Sequence, residues 1–239
     1  MLNIFRNIRR KLATENKFVQ YSRYAIGEIV LVMIGILLAL QVNNWNEERK
    51  QTRALTGALE NLVKDLAIQQ ELVEEQLDYE TQKIDEVKEL IPFIGNPVAS
   101  EVARLIDSLS ARHTFVMMQS SLKNLEDSGG LIQIKDLELQ NGIVRYFQLL
   151  DYTTSVTNNN NLYLIDNQYG RFALQNPFHL EIDEGGNPSL GRSLTAEEKY
   201  MILSNLKLRL KASESIEERI LILGKETKKL IQQVNLYLE

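Results

Sequence analysis

The stretch Ile29-Val30-Leu31-Val32-Met33-Ile34-Gly35-Ile36-Leu37-Leu38-Ala39-Leu40-Gln41-Val42 carries no charge and is bracketed by Tyr21 and Tyr24 on one side and Trp45 on the other. A helix from Tyr24 to Trp45, rising 1.5 Å per residue, is about 33 Å long, close to the hydrocarbon thickness of a bilayer. The expectation is one transmembrane helix over residues 24–45. Before it stand Arg6, Arg9, Arg10, Lys11, Lys17 and Arg23 against one acid, Glu15; after it, Arg49, Lys50 and Arg53 are interleaved with Glu47 and Glu48. The excess of Lys and Arg on the N-terminal side places residues 1–23 in the cytoplasm as a basic tail, and residues 46–239 beyond the membrane. A cleaved signal peptide is the competing reading, because a basic start and an apolar core describe both objects. The core here is longer than most signal cores, and Gln41-Val42-Asn43-Asn44-Trp45 offers no small-x-small cleavage site, so a retained anchor is expected.

The whole chain of 239 residues has 27 Lys and Arg against 32 Asp and Glu. With six bases and one acid lying before residue 24, the remainder is distinctly acidic, which argues against nucleic acid as its partner. There is no cysteine, hence no disulfide, thiolate nucleophile or cysteine metal site. That fits an exported domain that does without oxidative folding.

The run Tyr24-Ala25-Ile26-Gly27-Glu28-Ile29, continued by Ile34-Gly35-Ile36-Leu37-Leu38-Ala39-Leu40-Gln41-Val42-Asn43-Asn44-Trp45-Asn46-Glu47 and preceded by Glu15-Asn16-Lys17-Phe18, resembles the N-terminal signature of an uncharacterised family of single-pass membrane proteins from Bacteroidota. The resemblance implies bacterial origin and an inner-membrane anchor. It brings no activity and no functional residue with it.

Within the span, Glu28 lies about one turn inside the cytoplasmic edge, where it either reaches water and pairs with Arg23 or Lys17 or bonds across to another helix. Gly35 and Ala39 form a small-xxx-small pair that lets two backbones approach. Asn43, Asn44 and Trp45 put amides and an indole at headgroup level, where they anchor.

Beyond Trp45, apolar residues recur three and four apart at Leu55, Leu59, Leu62, Leu66, Val73, Leu77, Ile84, Val87 and Ile91, predicting a long helix that ends at Pro92. The pattern slips between Val73 and Leu77, and Gln69, Gln70 and Glu80 interrupt it. A short helix is expected through Val98, Val102, Leu105, Ile106 and Leu109, and another through Phe115, Met118, Leu122 and Leu125, stopping at Ser128-Gly129-Gly130. Asp136 is the expected N-cap of a helix burying Ile143, Phe147 and Leu150.

From Asp151 to Asn161 the chain turns polar, with four consecutive asparagines, and helical spacing resumes at Leu162, Ile165, Tyr169 and Phe172. Two readings compete here: a solvated connection, which is favoured, or a helix that runs through with a polar face toward a ligand or partner. Residues 176–193 read as a mobile loop. Thr195 and Glu198 make a capping box. Ile216, Ile220, Leu223, Thr227, Leu230, Val234 and Tyr237 then alternate four and three apart, a stripe that wants a helical partner. If Ser213 and Ser215 do not break the chain, residues 196–238 form a single helix of about 65 Å that pairs antiparallel with the first long helix. The fold class expected is all-α: an N-terminal transmembrane helix followed by an extramembrane bundle with long antiparallel helices.

No catalytic constellation emerges. His113 and His179 are the only imidazoles and have no partner at zinc-site spacing; His113 is expected near a helix end, interacting with carbonyls. The segment from Asp183 to Asn187 does not keep the ligand spacing of a calcium loop, and its glycines lack phosphate-loop spacing. The most suggestive cluster is Tyr163, Asp166, Tyr169 and Arg171, which at spacings near three share a helix face fit for a polar ligand. No cofactor and no metal are expected. The expected function is that of a non-enzymatic, membrane-anchored interaction or scaffold protein of the bacterial envelope. Its expected partners are the bilayer and either another protein or a second copy. The alternative is a ligand-binding sensor domain working with a partner protein.

Overall fold

A computed structural model describes residues 18–96, 98–175, 180–190 and 192–239, so His179 lies outside the described residues. The chain divides after Ala54 into two units, each taken here by itself. Helix α1 (Phe18–Leu90) contributes to both. In the first unit its apolar run is bare, with Leu31 71% and Trp45 63% exposed. Among the described residues it is the one helix long and apolar enough to cross a membrane.

The second unit is all-α apart from one small hairpin. After α1 come a 3-10 turn (Ile91–Gly95) and α2 (Ala99–Ser110), then α3 (Ser120–Asp127) and α4 (Gly130–Gln133). Next are α5 (Leu137–Asn160), a π-helical segment (Asn161–Tyr169), α6 (Gly170–Gln175), strands β1 (Leu180–Ile182) and β2 (Pro188–Leu190), and α7 (Ala196–Leu238). Helix α7 is unbroken at Ser213 and Ser215, and it is started by the expected capping box: Glu198 N donates to Thr195 Oγ1 and Thr195 N to Glu198 Oε2. Arg192 adds two bonds to the same carboxylate at 2.9 and 2.7 Å, and with the Thr195 backbone it holds Glu198 down at about 2.

Helix α7 runs antiparallel to α1. Lys88 meets Glu214 at 3.7 Å, Thr81 Oγ1 donates to Glu217 at 3.0 Å, and Lys228 meets Glu74 at 3.4 Å, so residue numbers fall on one helix as they rise on the other. Helix α5 is antiparallel to α7 by the same test, with Tyr152 against Arg219 and Tyr146 against Thr227. It follows that α1 and α5 run parallel. The stripe from Ile216 to Val234 finds its partners inside the chain: Ile216, Ile220, Leu223, Leu230 and Val234 are buried in one core with Leu59, Leu62, Leu66 and Val73 of α1 and Ile143, Phe147 and Leu150 of α5. Each such side chain contributes roughly 1.5–3 kcal/mol by leaving water. A second core gathers Val87, Leu90 and Ile94, Val102, Leu105 and Leu109 of α2, Ile165 and Tyr169 of the π-helical segment, and Leu194, Ile202 and Leu206.

Three expectations are corrected. First, residues 111–119 are extended and α3 begins only at Ser120; the spacing of Phe115 and Met118 imitated a helix, whereas burial alternates through Ala111, His113 and Phe115. Second, the polar run from Asp151 is no connection: α5 continues through it to Asn160, with Thr153 and Thr157 fully buried. Third, among the described residues of the expected loop, 180–190 form an antiparallel hairpin pairing Leu180 with Leu190 and Ile182 with Pro188. Its turn is tied by Asp183 Oδ1, which accepts from Gly185 N and Asn187 N, and Gly186 takes φ 82°.

Candidate functional site

The extended segment 111–119 is a strap between α1 and α5, and side-chain amides take the place of a neighbouring strand. From α1, Gln69 accepts from Met118 N at 2.7 Å and donates to Val116 O at 3.3 Å. From α5, Asn158 accepts from Phe115 N and donates to Phe115 O, at 3.2 and 3.1 Å, while Asn161, at the start of the π-helical segment, donates to His113 O at 2.7 Å. An amide side chain offers the same donor and acceptor pair as a peptide group, which explains why asparagines and a glutamine occur on the inner faces of these helices. His113 therefore does not cap a helix end. It sits in the strap, where its Nδ1 lies 2.7 Å from Gln76 Oε1, and Gln76 Nε2 in turn donates to Glu80 Oε1 at 2.9 Å.

Glu80 opens onto the most unusual part of the molecule. Gln76 and Glu80 on α1, and Arg209 and Ser213 on α7, are all 1% exposed or less. On α1 they fall between Val73 of the first core and Val87 of the second; on α7, between Leu206 and Ile216. They form a buried polar layer that separates the two apolar cores. Around Glu80 stand Gln76 and Tyr79 of its own helix, His113 of the strap, and Arg209 and Ser213 of α7; Tyr169 of the π-helical segment faces Arg209. Arg209 donates to Ala111 O at 3.2 Å, the strap's first carbonyl.

Five buried atoms of this layer lack a well-formed hydrogen bond, Glu80 Oε2, Arg209 Nε, Ser213 Oγ, Tyr79 OH and Tyr169 OH, although the Ser213 hydroxyl lies near enough to the Glu80 carboxylate, and Arg209 to the Tyr79 phenol, to favour their charged forms. A buried polar atom left unpaired costs about 1–3 kcal/mol, so the layer is a concentrated local penalty. Burial pushes the Glu80 carboxyl above its ordinary range, with the Ser213 hydroxyl and then the charge on Arg209 opposing. Burial also drives the Tyr79 and Tyr169 phenols up to about 12, again opposed by Arg209, so both stay neutral at any ordinary pH.

The residues singled out in the sequence are distributed differently. Tyr169 is fully buried in the second core, whereas Tyr163, Asp166 and Arg171 are exposed, so the four do not share one face. The cause is the π-helical winding of residues 161–169, whose wider turn brings every fourth residue, Asn161, Ile165 and Tyr169, inward. Asp166 pairs with Arg112 of the strap. In the first unit Asn43 and Asn44 are exposed, Trp45 has the Arg49 guanidinium 6.0 Å from its ring centroid, Glu28 is half-buried, and a Cβ on Gly35 would meet nothing within 4 Å. A groove of about 410 Å³ between Asp136 and Tyr237 is lined by two carboxylates, one of which caps α5. Among the described residues, no three His, Asp or Glu side chains are grouped to hold a metal ion.

Of this layer, apolar spacing alone marks only Glu80, as an interruption of the α1 pattern. Taken with its polar members, the inner face of α1 runs Leu59, Leu62, Leu66, Gln69, Val73, Gln76, Glu80, and that of α7 runs Ile202, Leu206, Arg209, Ser213, Ile216, Ile220, Leu223, Thr227, alternating three and four without a slip. Spacing, rather than hydrophobicity, was the signal that marks Gln76, Glu80, Arg209 and Ser213 as interior.

A model described as a family of unknown function (DUF6090) matches residues 28–166, more than half the chain, and the chain belongs to that family. The match takes in Gln76, Glu80, His113 and Asn161 and stops before Arg209. No curated protein and no solved structure matches.

Proposed function

We propose that this chain is a non-enzymatic, single-pass protein of a bacterial inner membrane, of Bacteroidota origin. Residues 24–45 are its span, residues 1–23 are cytoplasmic, and residues 46–239 form a helical periplasmic domain that acts by binding another protein. The observation that carries the anchor is the contrast along α1: from Ile29 to Trp45 its large apolar side chains are about half exposed or more, whereas from Leu59 every third or fourth residue is sealed. The basic N-terminal side supports the orientation. Because the α7 stripe is already covered within the chain, self-assembly through it is not part of this reading, and interaction falls to outer surfaces.

Since the chain has no cysteine, one introduced thiol reports topology cleanly. Ser100→Cys, at an exposed position of α2, should react with a membrane-impermeant maleimide in spheroplasts; reaction only after lysis overturns the orientation. Cross-linking in native membranes, followed by mass spectrometry, should then return one stoichiometric foreign partner, and self-links alone would refute the partner-binding role. The sensor reading is kept because one observation favours it, namely the costly buried layer around Glu80 and Arg209, which a purely passive scaffold does not need.

A further inference from the structure

Three weaknesses lie at one level of the bundle. Helix α1 places Gln76 and Glu80 on its inner face, α7 places Arg209 and Ser213 there, and α5 gives way to π-helical winding at Asn161, whose side chain reaches the same strap that Arg209 and Gln76 touch. On the side of this level nearer Leu55, the proximal side, residues 59–73 of α1, 139–150 of α5 and 216–234 of α7 close the first core. Distal to it, the second core is made from the end of α1, α2, the π-helical segment and the start of α7, with the hairpin strand β2 against α2. The two apolar clusters are separate although α1 and α7 pass through both.

Where the apolar seam is interrupted, separation returns water to groups that closure deprives of it: Glu80 Oε2, Arg209 Nε, Ser213 Oγ and the two phenols. That recovered solvation offsets part of the loss on exposing the distal core. Opening within the first core would recover less charge solvation: Gln70 Oε1 and Ser121 Oγ are unpaired there too, but neither group is ionisable, while Thr227 Oγ1 donates to Leu223 O and accepts from Tyr146 OH at 3.0 Å, and Gln69 bonds the strap at both ends of its amide.

We propose that the layer of Gln76, Glu80, His113, Arg209 and Ser213 is an opening plane, at which the distal half of the helical unit comes apart as one cooperative body while the proximal half remains closed. This is the moving part that the sensor reading requires, yet it depends on neither the anchor nor any partner. A topology experiment that fails leaves it standing, and its own failure leaves the anchor standing.

The test is native-state hydrogen exchange on the full chain in detergent micelles, followed by mass spectrometry under increasing low denaturant. Amides of Ala99–Ser110 and of residues 198–206 should share one opening event with one denaturant dependence, and exchange about tenfold or more faster than those of residues 139–150 and 216–234. A single protection level throughout would overturn the proposal, as would separate fraying of α2 and the start of α7, each with its own denaturant dependence. The double variant Glu80→Leu with Arg209→Leu should slow distal exchange by about tenfold and leave the proximal half unchanged. Ser213→Val, which removes the hydroxyl beside the Glu80 carboxylate, should also change distal exchange and leave the proximal half unaltered. Distal exchange unaltered in a folded Ser213→Val protein would refute the plane even if the double variant does not fold.

Discussion

The two cores of the helical unit are threaded by the same long helices, yet they handle interior polarity in opposite ways. In the proximal core most polar intrusions are matched, Tyr146 to Thr227 and Gln69 and Asn158 to the strap, with Gln70 Oε1 and Ser121 Oγ left over. At the entrance to the distal core the intrusions gather and are poorly matched, with a carboxylate and a guanidinium in one layer and five atoms short of a well-formed hydrogen bond. The difference shows that a continuous helical seam does not imply uniform stability. Cohesion is set by which seam positions are apolar and by whether the polar ones find partners, and by that measure the distal half is the weaker body.

That comparison breaks most readily with a core deletion. Leu223→Ala should cost about 2–5 kcal/mol and lower the denaturation midpoint of the whole unit, whereas Leu105→Ala, of similar size, should loosen the distal half while the proximal half keeps its midpoint. Segment-resolved exchange separates the two, and a common loss in both variants would merge the cores into one. Next in size, Arg209→Ala should destabilise by about 3 kcal/mol, since it removes the guanidinium that faces the buried Glu80; Arg209→Leu combined with Glu80→Leu should be neutral or stabilising, by up to about 4 kcal/mol. Urea titrations of the single and double variants would show whether the layer is a net cost.

Smaller still, Asn158→Ala strips two bonds from the Phe115 backbone and should cost about 2 kcal/mol, with faster exchange at Phe115 as its signature. The smallest effect is a pH dependence. Glu80 faces Arg209, His113, Tyr79, Gln76 and Ser213, and burial raises its folded-state pKa above the ordinary 4.5. The folded protein therefore binds more protons than the unfolded one between those two values, so the contribution is fully present below the ordinary value and is lost as pH rises through the raised one. Glu80→Gln should flatten that fall, and an unchanged slope would show that Glu80 does not titrate with folding.

Much of the fold was legible in the residues. The all-α class, the long helices, the antiparallel pairing of α1 with α7, the Asp136 cap and the Thr195–Glu198 box all follow from apolar spacing and short-range capping rules, which act over three or four residues. What was not legible depends on long-range partners. Nothing local reveals that Asn158 will serve Phe115, 43 positions earlier, or that a polar run full of asparagines will be helical because a strap needs its amides. The π-helical winding that turns Tyr169 away from Tyr163 and Asp166 is likewise a tertiary outcome. The candidate site lay in plain spacing, but a scan that treats Gln and Glu as breaks discards the positions where this interior is polar.

The strap also gives the unit a mechanical direction. Its bonds to Gln69 on one side and Asn158 on the other run across two parallel helices, so an axial pull on α1 relative to α5 loads them together, in shear. A shift of one helical residue, about 1.5 Å, is enough to break bonds of about 3 Å on either side of the strap. Gln69 and Asn158 thus act as a latch on the axial register of the two helices.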